Sequence, residues 1–201
     1  MDIARYSRQM LVPGVGKQGQ ESLGAGRVLV VGCGGIGSTV ILYLAGAGVP
    51  LLLCDNDVVE TSNLHRQIVH DSTEASLGSN KAVSAANHAR ALNPKADIVV
   101  EQSRIGATNV RALVAAVDVV VDATDNYEAR YILNDACFLE GVPLVSGSAV
   151  GVEGQLCVFD FSERDPVVRG PCYRCLYPAV ADVQSCKSCS DAGVLGPVPG
   201  L

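Results

Sequence analysis

Residues 27–55 read Arg27-Val-Leu-Val-Val-Gly-Cys-Gly-Gly-Ile-Gly-Ser-Thr-Val-Ile-Leu-Tyr-Leu-Ala-Gly-Ala-Gly-Val-Pro-Leu-Leu-Leu-Cys-Asp55, with no charged side chain from Val28 to Cys54. A run of 27 uncharged positions is long enough to cross a bilayer. Six glycines and Pro50 interrupt it, however, and its pattern changes along its length. Arg27 to Val31 is a β-rich run, Gly32 to Gly37 a turn, Ser38 to Gly48 an Ala/Leu/Gly stretch of helical length, and Leu51 to Cys54 a second apolar run. Strand, tight turn, helix and strand, covered on both faces of a parallel sheet, account for the missing charges better than lipid does.

The alternation continues downstream. Lys81 to Leu92 predicts a helix, stopped at Asn93 because Pro94 disfavours the α conformation in the residue before it. Ile98 to Glu101 predicts a strand, Asn109 to Ala116 a helix, Asp118 to Asp122 a central buried strand, Tyr127 to Leu139 a helix and Pro143 to Ser146 another strand. Gly154 to Phe161 alternates as a half-buried antiparallel strand does, and from Ser162 the chain turns Pro-, Gly- and Cys-rich and reads as loop. No internal repeat or low-complexity tract interrupts this order. The expected fold class is α/β: a doubly wound, mainly parallel sheet with antiparallel strand character near its end and an irregular cysteine-bearing C-terminal segment.

Composition narrows the function. The 201 residues carry 15 Lys and Arg against 21 Asp and Glu, a formal charge of −6, with 48% hydrophobic and 18% charged residues. That balance excludes a disordered chain and argues against nucleic-acid or anionic-membrane surfaces, which need clustered cations. With no Trp, three Phe and six Tyr, base-stacking platforms are not expected. The polar start Met1-Asp2-Ile3-Ala4-Arg5-Tyr6 lacks the apolar core of a signal peptide, so the expected location is cytoplasmic. Of eight cysteines, Cys33, Cys54, Cys137 and Cys157 each sit singly in apolar surroundings and read as small buried hydrophobes. The others form two C-x-x-C pairs, which in a reducing compartment read as metal or thiol chemistry.

Gly32-Cys-Gly34-Gly35-Ile-Gly37 matches G-x-G-x-x-G between a strand and a helix. Glycine permits the tight turn and lets backbone N–H groups approach a phosphate with the helix dipole behind them. Asp55 closes the next strand 18 residues past Gly37, where an acid can bind ribose hydroxyls. Loop and acid alone point to an NAD-dependent oxidoreductase, or to a glycine turn kept only for close packing. The residues beyond Asp55 favour a triphosphate instead. A polar stretch, Asp55-Asn-Asp57-Val-Val-Glu60-Thr-Ser62-Asn63-Leu64-His65-Arg66-Gln67, precedes Lys81, and Asp122-Ala-Thr-Asp125-Asn126 ends a predicted strand. Strand carboxyl ends share one crevice in a doubly wound sheet, so Gly35, Asp55 and Asp125 are expected to converge with two cations and a carboxylate suited to Mg²⁺. A lysine at a helix start opposes the helix dipole, which favours a functional reason for Lys81. By themselves Arg8 reads as a solvated charge, Asp57 and Glu60 as loop acids, and His65, His70 and His88 as structural or surface residues.

In order along the chain, Arg5-Tyr-Ser-Arg8-Gln9, the glycine loop, Asp55-x-Asp57, Ser62-Asn-Leu-x-Arg66-Gln67, Lys81, Ala123-Thr-Asp125-Asn126 and Pro171-Cys-Tyr-Arg-Cys175 are similar to the ThiF/MoeB family, the bacterial relatives of ubiquitin-activating enzymes. The resemblance runs from about Arg5 to Leu201. It implies ATP-dependent adenylation of the C-terminal Gly-Gly carboxylate of a ubiquitin-like sulfur-carrier protein, with release of pyrophosphate, for thiamine or molybdenum-cofactor sulfur transfer. It implies that Gly34 and Gly35 contact phosphates, that Asp55 binds ribose with Asp57 nearby, and that Ser62, Asn63, Leu64, His65 and Arg66 line the ATP site. Lys81 binds phosphate and Asp125 holds Mg²⁺ with Asn126 beside it, while Arg8 reaches into the other subunit of a homodimer. Arg8, Arg66, Lys81, Asp125 and Cys189 carry the chemistry on this reading, and a cysteine desulfurase is a candidate sulfur donor. Residues 1–201 are expected to form a single adenylation domain lacking its C-terminal portion, because the family continues into a further helix, more strands and a second cysteine pair.

Cys172-x-x-Cys175 and Cys186-x-x-Cys189, ten residues apart, make a tetrathiolate zinc pattern by themselves. The resemblance implies a different arrangement, in which Cys172 and Cys175 hold zinc with a pair beyond Leu201 and Cys189 is the free sulfur-chemistry thiol. Two assignments therefore stand, one with zinc closed locally and one with Cys189 free. Three functions stand as well: an adenylyltransferase, a nucleotide-binding dimer module without catalysis, and an NAD-dependent oxidoreductase. Between thiamine and molybdopterin carriers the residues leave the choice open.

Overall fold

A computed structural model describes residues 2–162, 170–178 and 193–201. The sheet-forming order begins with two helices, α1 (Ile3–Met10) and α2 (Gly16–Ala25), ahead of β1 (Val28–Val31), α3 (Gly35–Ala47) and β2 (Leu51–Cys54). Next come α4 (Ser72–Leu77), α5 (Lys81–Leu92), β3 (Ile98–Glu101), α6 (Val110–Val114), β4 (Val119–Asp122), α7 (Tyr127–Glu140), β5 (Leu144–Val150), β6 (Glu153–Phe159) and α8 (Tyr173–Leu176). The strands form one six-stranded sheet in the order β3-β2-β1-β4-β5-β6, parallel except for the antiparallel β5–β6 pair. The chain leaves β1 toward β2 on one side and returns as β4 on the other, so a switch point opens beyond the carboxyl ends of β1 and β4.

Strand alternation explains why both faces are apolar. Leu29, Val31, Leu52, Cys54 and Val120 face the core under α6 and α7, with Leu133, Cys137, Leu144, Phe159 and Phe161. Val30, Leu51, Leu53 and Val121 face the opposite core under α3 and α5, with Ile41, Ala82, Ala85, Ala86 and Ala89. The uncharged 28–54 stretch is thus buried on two sides by protein. Among the described residues, no helix is long and apolar enough to cross a membrane.

The predicted elements recur with informative shifts. α3 starts at Gly35 rather than Ser38, because the second half of the glycine loop is already helical. It stops at Gly48, whose φ of +81° is left-handed and whose added Cβ would run into the Tyr6 ring. β5 extends to Val150 rather than Ser146 because Leu144 to Val150 pair with Phe159 to Glu153. Gly151, at φ +61°, makes the hairpin turn. Cys33, Cys54 and Cys137 are buried as expected, but Cys157 is only half-buried. It lies on the edge strand β6, whose inward positions fill up only toward Phe159.

Candidate nucleotide site

The glycine loop is built by steric necessity. Gly32 sits at φ +93°, and a Cβ there would lie 2.6 Å from the Ala123 carbonyl oxygen at the end of β4. A Cβ on Gly37 would collide with the Gly32 carbonyl. Two strand ends and a helix start therefore meet in a space only glycine fits. Gly34 precedes α3 without any side-chain cap, which leaves its first N–H groups open to an anion. From behind, His70 holds the loop: its Nε2 lies 2.8 Å from the Cys33 carbonyl and its Nδ1 2.8 Å from the Ser84 hydroxyl. Burial holds this imidazole below the ordinary histidine pKa, and the nearby Lys81 charge adds to that.

Asp55 ends β2 beneath the loop. Its Oδ2 accepts the Cys33 N–H at 2.7 Å and its Oδ1 the Asp57 N–H at 2.8 Å. Burial raises its pKa, while the two N–H donors and Lys81 pull the other way. Lys81, the first residue of α5, has a side chain only 9% exposed and places Nζ 3.0 Å from Asp57 Oδ2. Asn80 caps that helix through Val83 N–H and donates to the carbonyls of Asp55 and Asp57 at 2.9 and 3.1 Å. One amide thus fixes both acids relative to the lysine.

On the other side of the switch point, buried Asp122 accepts from the Thr124 N–H and hydroxyl and from Ser146. Burial raises its pKa, opposed first by the Arg130 charge. This grip turns the chain so that Asp125 is presented exposed at the mouth of the cavity. No bond to the Asp125 carboxylate forms among the described residues, whereas Asn126 caps α7 by accepting the Ala129 N–H at 2.9 Å.

These parts enclose a cavity of about 340 Å³, the size class of a small-molecule site. Gly34, Gly35, Asp55, Asp57, Arg66, Lys81, Asp125 and Asn126 line it together. Ser62, Asn63, Leu64 and His65 do not. They build the turn behind Arg66, whose Nη2 donates to Asn63 Oδ1 at 2.9 Å, with His65 Nδ1 3.1 Å from the Ser62 carbonyl. Arg8 is exposed on α1 and outside this chain's own cavity. Residues that sequence reasoning did not select also line it, among them Gln67, Arg104, Arg130, Val194 and Pro199. Gln67 is 5% exposed and its Oε1 has no hydrogen-bond partner among the described residues, an acceptor that a bound donor can satisfy. Its only sequence signal is its place next to Arg66. Arg130 donates to the Thr124 carbonyl at 2.8 Å, and nothing in an ordinary helix start marks it.

The first C-x-x-C pair lies apart from the cavity, with Cys172 Sγ 3.7 Å from Cys175 Sγ. Two thiolates about 2.3 Å from a tetrahedral zinc stand roughly 3.8 Å apart, so the pair fits one edge of such a site. Burial pushes the Cys172 thiol up, but hydrogen bonds from Cys175, Arg174 and Asn134 outweigh it and leave its pKa below the ordinary value. Among the described residues no group of three or more His, Cys, Asp or Glu is placed to hold a metal. Cys186 and Cys189, and with them the choice between the two zinc assignments, lie outside the described residues.

Residues 6–201 match the model of the ThiF family. The chain is 48% identical over 202 residues to adenylyltransferase and sulfurtransferase MOCS3 of Arabidopsis thaliana, covering 99% of this chain and 41% of the relative. It is 47% identical to the proteins of that name from Anopheles gambiae and Danio rerio, covering all of this chain and 44% and 42% of theirs. The chain therefore spans less than half the length of these curated relatives. Among solved structures, that of PaaA superposes with a TM-score of 0.73 at 23% identity, over 85% of this chain and 57% of the other, a likeness of fold. Sequence and architecture agree, and the chain belongs to the ThiF family.

Proposed function

We propose that the protein is an adenylyltransferase that activates the C-terminal Gly-Gly carboxylate of a ubiquitin-like sulfur-carrier protein with ATP. The observation that carries this reading is the convergence of Gly35, Asp55, Arg66, Lys81 and Asp125 on one cavity at the switch point. The carrier carboxylate is already ionised near neutral pH, so its attack needs no general base. A carboxylate oxygen bonds to the α-phosphorus as the bond from that phosphorus to the bridging oxygen of the β-phosphate breaks. An acyl-adenylate forms and pyrophosphate leaves. The protein's part is to align the carboxylate and neutralise charge moving toward the pyrophosphate. Arg66 and Lys81 stand where they can do so, with Lys81 passing from Asp57 to a phosphate. Asp125, exposed and without a bonded partner among the described residues, fits a Mg²⁺ ligand that also needs phosphate oxygens. That ion supplies further charge neutralisation when bound. Asp55 keeps a free lone pair on each oxygen for ribose hydroxyls.

Cys172 and Cys175 would hold a structural zinc, Arg8 would complete the site of the second subunit in a homodimer, and Cys189 would serve sulfur transfer with a cysteine desulfurase as donor. The names of the relatives, adenylyltransferase and sulfurtransferase, support this pairing of activities, and a cytoplasmic location suits it. The test is ATP–pyrophosphate exchange. Label should appear in ATP only when a carrier ending in Gly-Gly is present, and removal of its last glycine should stop it. Nucleotide binding without carrier-dependent exchange would favour a non-catalytic module, and stabilisation by NADH but not ATP an oxidoreductase.

A further inference from the structure

His70 touches the glycine loop without lining the cavity. Its Nε2 lies 2.8 Å from the Cys33 carbonyl oxygen and its Nδ1 2.8 Å from the Ser84 hydroxyl. Histidine and serine are both buried, so neither bond has water as a ready substitute. A carbonyl only accepts, so Nε2 carries a proton. Burial favours the neutral ring, and Nδ1 then accepts the Ser84 O–H. Ser84 lies on α5, the helix that Lys81 opens. The ring therefore braces the loop against the helix that bears the lysine.

What the ring holds is one peptide plane. The Cys33 N–H is taken by Asp55 Oδ2 at 2.7 Å and the Cys33 side chain is buried, which fixes the residue as far as its Cα. The peptide that follows, between Cys33 and Gly34, makes one hydrogen bond among the described residues, the one to His70. It is trans, so its C=O and N–H point in opposite directions. A carbonyl drawn to His70 turns the Gly34 N–H the other way, to the side on which Gly34 lines the cavity and Cys33 and His70 do not. That N–H has no acceptor among the described residues. It stands one residue ahead of the uncapped start of α3, whose open N–H groups favour an anion.

We propose that His70 is a positioning residue for phosphate recognition: its Nε2–H fixes the Cys33–Gly34 peptide so that the Gly34 N–H is aimed at a phosphate oxygen before the nucleotide arrives. Without that donor the plane can turn over, because glycine at 34 accepts either orientation at little steric cost. A turned plane would show the anion a carbonyl oxygen in place of an N–H. Holding the plane in the free protein removes that ordering cost from binding. Hydrogen bonds to a charged partner are the strong ones, so the orientation should be worth about ten-fold in affinity for a ligand with phosphate and nothing for one without. A histidine that merely filled the core would affect both ligands alike. The inference rests on the adenylation reading for the identity of the nucleotide.

Two substitutions separate the nitrogens of the ring. His70→Gln carries an N–H out to the place of Nε2 and can keep the Cys33 bond. His70→Asn reaches only as far as Nδ1, so it can serve Ser84 but not Cys33. Mg·ATP and adenosine are titrated into the full chain and followed by NMR. His70→Asn should weaken Mg·ATP by about ten-fold and leave adenosine unchanged, and His70→Gln should restore most of the lost Mg·ATP affinity. Equal losses for Mg·ATP and adenosine, no loss in His70→Asn, or the same loss in both variants overturns the proposal. Should His70→Asn fail to fold, the unsubstituted protein decides. The His70 ring nitrogens should show the Nε2–H form, and the Gly34 amide proton should shift with Mg·ATP but not with adenosine. The Nδ1–H form, or a Gly34 amide that ignores Mg·ATP, overturns the proposal as well. Carrier-dependent exchange without the difference between the two variants overturns the positioning role alone. That difference without exchange overturns the adenylation reading alone, and no ATP binding by the unsubstituted protein overturns both.

Discussion

Lys81 shows how a residue betrays a site. A cation at the first position of α5 opposes the helix dipole, and burying it carries a desolvation cost that its ion pair to exposed Asp57 has to meet. A phosphate nearby would reverse that balance. Lys81→Ala should lower carrier-dependent pyrophosphate exchange by ~10²–10³, as expected for one electrostatic contact to a developing charge. Stability should change little, because Asp57 is 61% exposed and regains water. Exchange within a few-fold of wild type would remove Lys81 from the site. His70 carries a second expectation. Its folded pKa lies below the ordinary value of 6.5, so the unfolded chain binds more protons as pH falls. Its contribution is present above pH 6.5 and is lost as pH drops through the folded pKa. His70→Gln should be less stable by about 1–2 kcal/mol near neutral pH and show a flatter loss as pH falls below 6.5, measured by urea melts. An unchanged slope would show that another group governs it. Charges at strand ends were legible because charge there needs a reason. Gln67 and Arg130 were not, since a lone amide and a helix-start arginine serve many purposes and only their surroundings distinguish them.

Elements with strong periodicity or unambiguous stops were legible to the residue. The helix over 81–92 and the strand over 98–101 stand where the sequence places them, because Asn80 caps the helix and Pro94 stops it at Asn93, ahead of the strand. The short helices α1, α2 and α4 gave no comparable signal. α2 reads Gly-Lys-Gln-Gly-Gln-Glu-Ser-Leu-Gly-Ala, and its glycines argue against a helix that tertiary contacts then supply. β5 outran its expected end because its partner β6, and not its own composition, sets its length. Where an element starts also decides the site. Asn80 caps α5 while donating to the carbonyls of Asp55 and Asp57, so one side chain ties the acid loop to the lysine helix. Asn80→Ala should cost about 1–2 kcal/mol in a urea melt. It should also weaken Mg·ATP binding, although Asn80 does not line the cavity. A stability loss with unchanged affinity would show that the loop holds its shape unaided.

At the scale of the whole molecule, the cavity is closed by the far end of the described chain. Leu195 donates to the Gly151 carbonyl at 2.8 Å and Gly151 to the Gly193 carbonyl at 2.9 Å, which lays residues 193–195 beside the β5–β6 hairpin. Pro199, buried, then rests on Gly35, where an added Cβ would come within 2.9 Å of its ring. The phosphate loop of the N-terminal half is thus walled by a segment more than 150 residues later, a contact no local pattern announces. A ligand that orders the loop must act on that segment too. Saturating Mg·ATP, at about 100 times its Kd, should stabilise the fold by ~2.7 kcal/mol through mass action. Hydrogen exchange should slow at Cys33 and Gly35 and, in the same titration, at Leu195, Val198 and Gly200. The last two amides bond to the Leu195 and Pro197 carbonyls within the turn that carries Pro199. NADH should protect neither group. Protection confined to the glycine loop would mean that residues 193–201 rest against the site without answering to its occupant, and the responding part of the cavity would then be the lining from Val31 to Ala149 alone.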